Sequence, residues 1–260
     1  MRRIKTSQDN MPTISYDGNY ECWEDAIAES KGYQDMEILN KATQSFEKIL
    51  AGEHKCERDT FLYDEFQYSL PLLLGLNFLQ KKVAKIRLLD FGGSFASSYF
   101  RNLDIVEQFD LSWIVIEQSK LVKRARMLTG EFEQLFFLEE KDLENLISKK
   151  AFDIIIFGSC LQFLENPEIV VSGLLHETLQ IVVIEQTPIK QSGATKLTVQ
   201  HVGKPLYESS YPAWHISEKD LFSWFEDDFQ LKYKSNGPHI INRCDGFCSQ
   251  LEDYVFTRKK

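Results

Sequence analysis

The sequence predicts an α/β protein with a doubly wound, mostly parallel, seven-stranded sheet, an N-terminal helical arm and a C-terminal antiparallel hairpin. Three observations predict it. Between residues 85 and 184, five short apolar segments alternate with amphipathic ones, the rhythm of strands joined by crossover helices. Those apolar segments are nearly continuous, as expected of strands buried on both faces. Beyond residue 225, two more strand-like segments flank a turn-rich stretch containing Asn236-Gly237-Pro238, which reads as a closing hairpin. A chain of 260 residues suits one large domain with an added arm. The division expected is 1–84 for a helical lid or arm and 85–260 for the ligand-binding body.

In the arm, Trp23–Ser30 is a short amphipathic run that Gly32 ends. Asp35–Leu50 places Met36, Leu39, Ala42, Phe46, Ile49 and Leu50 at helical spacing, and Ala51-Gly52 stops it. Glu57–Leu79 is expected as helix, broken or split ahead of Pro71. Its aromatics, Phe61, Tyr63, Phe66, Tyr68 and Phe78, are expected to pack the arm onto the body. In the body, the strands are 85–91, 112–117, 134–138, 152–157 and 181–184. Helices are expected from Ser94, Lys120, Asp142 and Asn166. Asn166-Pro167-Glu168 is a helix start with a cap, a first-turn proline and an acid facing the dipole. After Pro188 the rhythm lapses until a helix at Ser217–Phe225; the hairpin strands are 229–234 and 253–257.

Composition excludes several classes of function. Lys and Arg total 30 and Asp and Glu 39, a net charge of −9; a general nucleic-acid binder needs a basic surface. No apolar run approaches the roughly 20 residues of a membrane span, and Met1–Asn10 lacks the apolar stretch of a secretory signal. Five scattered cysteines fit a reduced, cytoplasmic protein. Cys244 and Cys248 lie four apart with no second pair of ligand spacing, so no metal site is expected.

Ligands of open α/β sheets bind beyond the carboxyl ends of the strands. The first body strand ends in Asp90-Phe91-Gly92-Gly93-Ser94, where glycines admit close approach and a helix start offers free N–H groups. The second ends in Glu117, 27 residues after Asp90, near the roughly 20-residue offset of ribose-binding acids. The fourth ends in Gly158-Ser159-Cys160. These features suit an adenosine-containing cofactor. A dinucleotide is disfavoured: the Gly-x-Gly-x-x-Gly spacing is absent from Gly92 onward, and no tyrosine is followed by lysine four residues later. No P-loop is present.

Asp90, Gly92, Ser94 and Ala96 follow the order Asp-x-Gly-x-small-x-small, which resembles the first motif of class I S-adenosylmethionine-dependent methyltransferases, Rossmann-like enzymes whose sheet ends in such a hairpin. The resemblance extends to a family of methyltransferases often encoded among bacterial surface-polysaccharide genes. It is carried by Tyr16–Tyr20 with Trp23, Gly32-Tyr33, Glu57-Arg58-Asp59, Tyr63–Ser69, Leu89–Ser94, Tyr99-Phe100, Val115–Gln118, Leu161–Leu164, Thr187-Pro188 and Ser210–Trp214. The departure is Phe95-Ala96, where the family has leucine and glycine. The resemblance implies S-adenosylmethionine as cofactor. Asp90, Gly92, Gly93 and Ser94 would line its methionine end, Glu117 would hold the ribose beside Gln118 at the adenine, and Gly158 and Ser159 would border the methyl.

A hydroxyl acceptor, sugar or sugar nucleotide, calls for a base within hydrogen-bond reach. The candidates are His201, Glu185 at the end of the fifth strand, and Tyr211, with His215 a further one near Trp214; His201 is favoured because imidazole titrates near neutrality. Cys160 is expected as a buried small residue. Arg58, Asp59, Tyr63 and Tyr68 are expected to face the ligand if the arm closes over the cleft, with Arg58 a fork donor to phosphate or carboxylate. The rival readings are an NAD(P)-linked oxidoreductase and a non-catalytic binding protein whose site is degenerate at Ser94-Phe95-Ala96.

Overall fold

The computed structural model describes residues 14–31, 36–80, 82–130, 132–204, 206–242 and 247–260. The Gly32 helix stop, the Gly32-Tyr33 segment and Cys244 lie outside them. The N-terminal part runs β1 (Ile14–Tyr20), α1 (Trp23–Ala28), α2 (Met36–Leu50), β2 (Cys56–Arg58), β3 (Phe61–Tyr63) and α3 (Leu70–Gln80). The chain goes on with β4 (Ile86–Phe91), α4 (Ser97–Arg101), α5 (Leu103–Val106), β5 (Leu111–Glu117), α6 (Ser119–Leu128), β6 (Leu135–Glu139) and α7 (Leu143–Ser148). It continues β7 (Ile154–Gly158), α8 (Pro167–Leu174), β8 (Ile181–Lys190), β9 (Lys196–Val202), β10 (Ser209–Ser217), α9 (Glu218–Ser223), β11 (Phe229–Asn242) and β12 (Cys248–Arg258).

The order β6-β5-β4-β7-β8 is parallel throughout, and β12 then β11 extend it antiparallel from β8. This is the expected doubly wound, mostly parallel α/β sheet with its closing hairpin. Side chains alternate across it. Leu88, Trp113, Val115, Ile154, Ile156 and Val183 meet Phe46, Leu72, Leu76 and Val122 of the helices on one face. Leu89, Phe91, Ile155, Phe157, Val182 and Ile184 meet Leu146, Val171, Leu174 and Leu221 on the other.

Beyond this frame the structure corrects the sequence reading. Residues 57–69 are not helix: β2 and β3 form a hairpin, and α3 begins at Leu70 just ahead of Pro71. The turn residues Asp59 and Thr60 have φ of 50° and 68°, the left-handed pair of the tightest hairpins. Glu57 Oε2 fixes the turn by accepting from Thr60 N at 2.9 Å.

The stretch after Pro188 is strand, not irregular chain. β9 and β10 pair antiparallel, β10 lies parallel to the far end of β8, and β1 adds to β9. The sheet therefore has ten strands among the described residues, not seven. In the hairpin, Asn236-Gly237-Pro238 lies inside β11, at a register shift between Asn236 and Ile240, rather than in the connection. At α8, Asn166 occupies the cap position and Pro167 the first turn, but the Asn166 side chain makes no capping hydrogen bond.

Candidate functional site

β4 ends by delivering Asp90 into a fully buried position beneath the glycine turn (0% exposed). Trp113 Nε1 donates to Asp90 Oδ2 at 3.1 Å. Asp90 Oδ1 has no hydrogen-bond partner among the described residues. Burial, with the Glu185 and Glu117 charges adding to it, pushes the Asp90 carboxyl up to about 7; the Trp113 bond and Arg101 act in the opposite direction. The turn above is shaped by sterics. Gly92 has φ of 67°, and a Cβ on Gly93 would stand 2.4 Å from the Asp90 carboxyl carbon. Ser94 and Ala96 are also left-handed, at 54° and 62°, a cost of about 1–2 kcal/mol each for residues bearing a Cβ. Phe95 turns inward between them. It is 2% exposed and stacks on Phe46 of α2, ring centroids 4.9 Å apart, so its bulk belongs to the core.

Glu117 ends β5 beside this turn. Its Oε1 accepts from Ser94 N at 3.1 Å and its Oε2 from Gln118 N at 2.9 Å. Burial pushes its carboxyl up, and the two N–H donors oppose the shift. Each carboxylate oxygen has capacity for a further donor. At the end of β7, Gly158 leaves open space, since a Cβ there would meet only Ser98 Oγ at 3.6 Å. Ser159, φ 56°, donates its N–H to Glu185 O at 2.9 Å, and its Oγ accepts from Gln162 Nε2 at 3.1 Å. The eight residues Asp90, Gly92, Gly93, Ser94, Glu117, Gln118, Gly158 and Ser159 thus meet at the carboxyl ends of three adjacent strands. Cys160 donates its thiol to Phe91 O at 3.1 Å, and burial pushes it well up. It is a buried thiol, as expected, not a thiolate.

No protein-family model matches the chain, and neither does any curated protein sequence. Among solved structures, the chain is similar to the N-terminal domain of EvdMO1, solved in the presence of SAH and D-fucose. The identity is 14% over 88% of this chain and 100% of that one, with a TM-score of 0.49. It is also similar to SAM-bound CalS10, an amino pentose methyltransferase from Micromonospora echinaspora involved in calicheamicin biosynthesis. There the identity is 12% over 73% of this chain and 90% of that one, with a TM-score of 0.47. A third is the PH0226 protein from Pyrococcus horikoshii OT3, 13% identical over 72% and 90%, with a TM-score of 0.45.

The acid–base candidates separate in space. Glu185, on β8, pairs in register with Gly158. It is buried, accepts a hydrogen bond from Ser69 Oγ, and lies 3.7 Å from Arg101 Nη1. Burial pushes its carboxyl up, against the pull of Arg101. His201 lies on β9, opposite Ser15 and Ser210. Its side chain is 44% exposed with Nε2 3.4 Å from Asp17 Oδ2, so its described contacts are with the outer strands of the sheet. Tyr211 is buried on β10, its hydroxyl 3.3 Å from Tyr207 Oη and 3.4 Å from Gln200 Nε2. Its ring meets Phe163 of the loop after β7, edge to face at 5.0 Å. His215 is in the core, 2.7 Å from Ser249 Oγ and packed edge-on against Tyr16 and Phe247.

Two groups escaped the sequence reading. Glu57, at the root of the arm hairpin, is buried and accepts from Ser97 Oγ of α4 as well as from Thr60. Arg101, on α4, donates Nε–H to Gln67 O at 2.9 Å and reaches Glu185. No local pattern marks Arg101, whose partners sit far away in the chain; the Glu57-Arg58-Asp59 segment was a visible signal for the first. Among the described residues, no three His, Cys, Asp or Glu side chains converge as a metal site, and no helix is long and apolar enough to cross a membrane.

Proposed function

We propose that this protein is an S-adenosylmethionine-dependent methyltransferase that methylates an oxygen of a small, sugar-derived acceptor. The observation that carries the reading is the cradle at the ends of β4, β5 and β7. A backbone turn with no room for a Cβ lies beside a strand-end carboxylate with spare acceptor capacity. The cradle fits the cofactor. Glu117 would offer its oxygens to ribose hydroxyls, and the Gly92–Ser94 backbone would admit the methionine part. The orphaned Asp90 Oδ1 is an acceptor awaiting a donor. Gln118 would lie beside the adenine, and Gly158 and Ser159 would border the reacting carbon. Phe95, spent in the core, takes nothing from the site, which favours a working cradle over a degenerate one. The turn lacks the glycine spacing of a dinucleotide site, which disfavours NAD(P).

When bound there, S-adenosylmethionine would supply a methyl activated by its sulfonium, with S-adenosylhomocysteine as the leaving product. The chain's own tasks are to align the acceptor oxygen, exclude water and take its proton. Glu185 is the base we favour. It lies level with Gly158, and its burial raises its proton affinity toward that of a useful base. Tyr211 would flank the acceptor, and His201 is the weaker candidate because it faces the outer strands. In this reading residues 1–84 are the lid and 85–260 the cofactor-binding body. The enzyme works in the cytoplasm, in surface-polysaccharide assembly.

Calorimetric titration with S-adenosylmethionine, S-adenosylhomocysteine and NAD(H) tests the proposal. Binding of the first two alone is the expected result. Binding of NAD(H) alone, or of none, overturns it.

A further inference from the structure

A cavity of about 190 Å³ lies among the β2–β3 hairpin, the start of α3, the end of α4 and the middle of β8, β11 and β12. Arg58, Ser69, Arg101, Glu185, Gln186 and Asp253 supply its polar walls. Its two carboxylates already have donors. Asp253 Oδ1 accepts from Gln186 N at 2.9 Å and Nε2 at 3.1 Å, and Oδ2 from Ser235 Oγ at 2.9 Å. Glu185 accepts from Ser69.

The two guanidinium groups have capacity left over. Arg101, 9% exposed, uses Nε for Gln67 O, and its Nη1 stands 3.7 Å from Glu185; Nη2 has no partner among the described residues. Arg58 Nε stands 3.8 Å from its neighbour Asp59, and the Arg58 charge also acts on Glu185. A guanidinium carries five N–H donors in a planar fork matched to carboxylate and phosphate. The first turn of α3 in the same wall adds the positive end of an 11-residue helix.

The cavity also adjoins the cradle. Ser98, beside Gly158, and Arg101 lie three residues apart on α4, and Glu185 is level with Gly158 across the sheet.

We propose that this cavity is the acceptor pocket and that it takes an acceptor bearing a carboxylate or phosphate, gripped by Arg58 and Arg101. The word acceptor rests on the methyltransferase reading; the binding of an anion in the cavity does not. The chain's net charge of −9 repels anions generally, so two guanidiniums with N–H donors left over in one cavity are a selective feature.

The full-length protein is titrated with D-glucose, D-glucuronate and D-glucose 1-phosphate, each with and without S-adenosylhomocysteine. At least one anionic sugar binds and glucose does not; which anion binds separates carboxylate from phosphate. Arg58→Gln, at a side chain 35% exposed, weakens the anion by about tenfold or more, the scale of one lost charge-assisted hydrogen bond. A melting curve like the wild type's shows the variant to be folded. Arg101→Lys, which keeps the charge but loses the fork, weakens it as well. The proposal is overturned if neither anion binds, if glucose binds as well as the anions do, or if Arg58→Gln binds them as the wild type does. S-Adenosylhomocysteine reports separately: its failure to bind, with Arg58-dependent anion binding intact, removes the methyltransferase reading and leaves the anion site.

Discussion

Asp90 is fully buried with one oxygen unpaired, and its carboxyl is pushed up to about 7 from an ordinary 3.8. Folding therefore favours the protonated form. Stability from this group is fully present below the unfolded value and is lost as pH rises through about 7. Asp90→Asn should flatten that decline in urea midpoints measured from pH 4.5 to 8; an unchanged slope would show that the burial is not felt. Glu57, Glu117 and Glu185 are pushed the same way, so a smaller slope persists. At Glu117 the expected outcome is a functional loss. Glu117→Ala removes the acceptor at the end of β5 and should weaken cofactor binding by roughly 1–3 kcal/mol in a calorimetric titration. Unaltered affinity would mean that another group holds the ribose.

At the scale of elements, the glycine turn and α4 form one unit. Gly92, Ser94 and Ala96 are all left-handed, and α4 starts directly from Ala96. This concentration of strain fits a ligand-binding turn held in shape by its surroundings. Relief at Ala96 is the direct check. Ala96→Gly should stabilise the protein by about 1 kcal/mol, the left-handed cost of a Cβ less the extra entropy that glycine loses on folding. A lowered melting temperature would show that the Ala96 methyl, fully buried in the core, contributes more by packing than its conformation costs. The hairpin β2–β3 is the second unit. Its Asp59-Thr60 turn is tied through Glu57 to Ser97 of α4. That tie couples the arm to the helix that follows the glycine turn.

For the whole molecule, burial and strand pairing fall off from the centre of the sheet to β1. β4, β7 and β8 are buried on both faces and paired on both sides. β1 is an edge strand exposed at alternate positions. Amide hydrogen exchange should reach the β1 amides first and those of β4, β7 and β8 last, near the global unfolding free energy. Equal protection of β1 would mean that the edge is covered in solution.

The body was legible because its pattern is local. Apolar runs such as Ile154–Phe157, helix-start chemistry at Pro167 and the glycines after Asp90 follow from the sequence within a few residues of each position. The five parallel strands and the convergence of Asp90, Glu117 and Gly158 come from that pattern and the handedness of crossovers. Other features needed partners distant in the chain. β1 is a strand because β9 supplies its hydrogen bonds. Glu57–Tyr63 is a hairpin because a buried carboxylate binds both its turn and α4. β9 did carry the strand alternation, in Lys196–Val202, but its polar residues hid it. The sequence by itself determined the doubly wound frame and the placing of Asp90, Glu117 and Gly158 at its strand ends, since period and turn chemistry are written locally. Only the tertiary structure decided that Glu185 and Arg101 share a cavity, that His201 faces outward and that Phe95 packs inward, because contacts between distant segments depend on how whole elements dock.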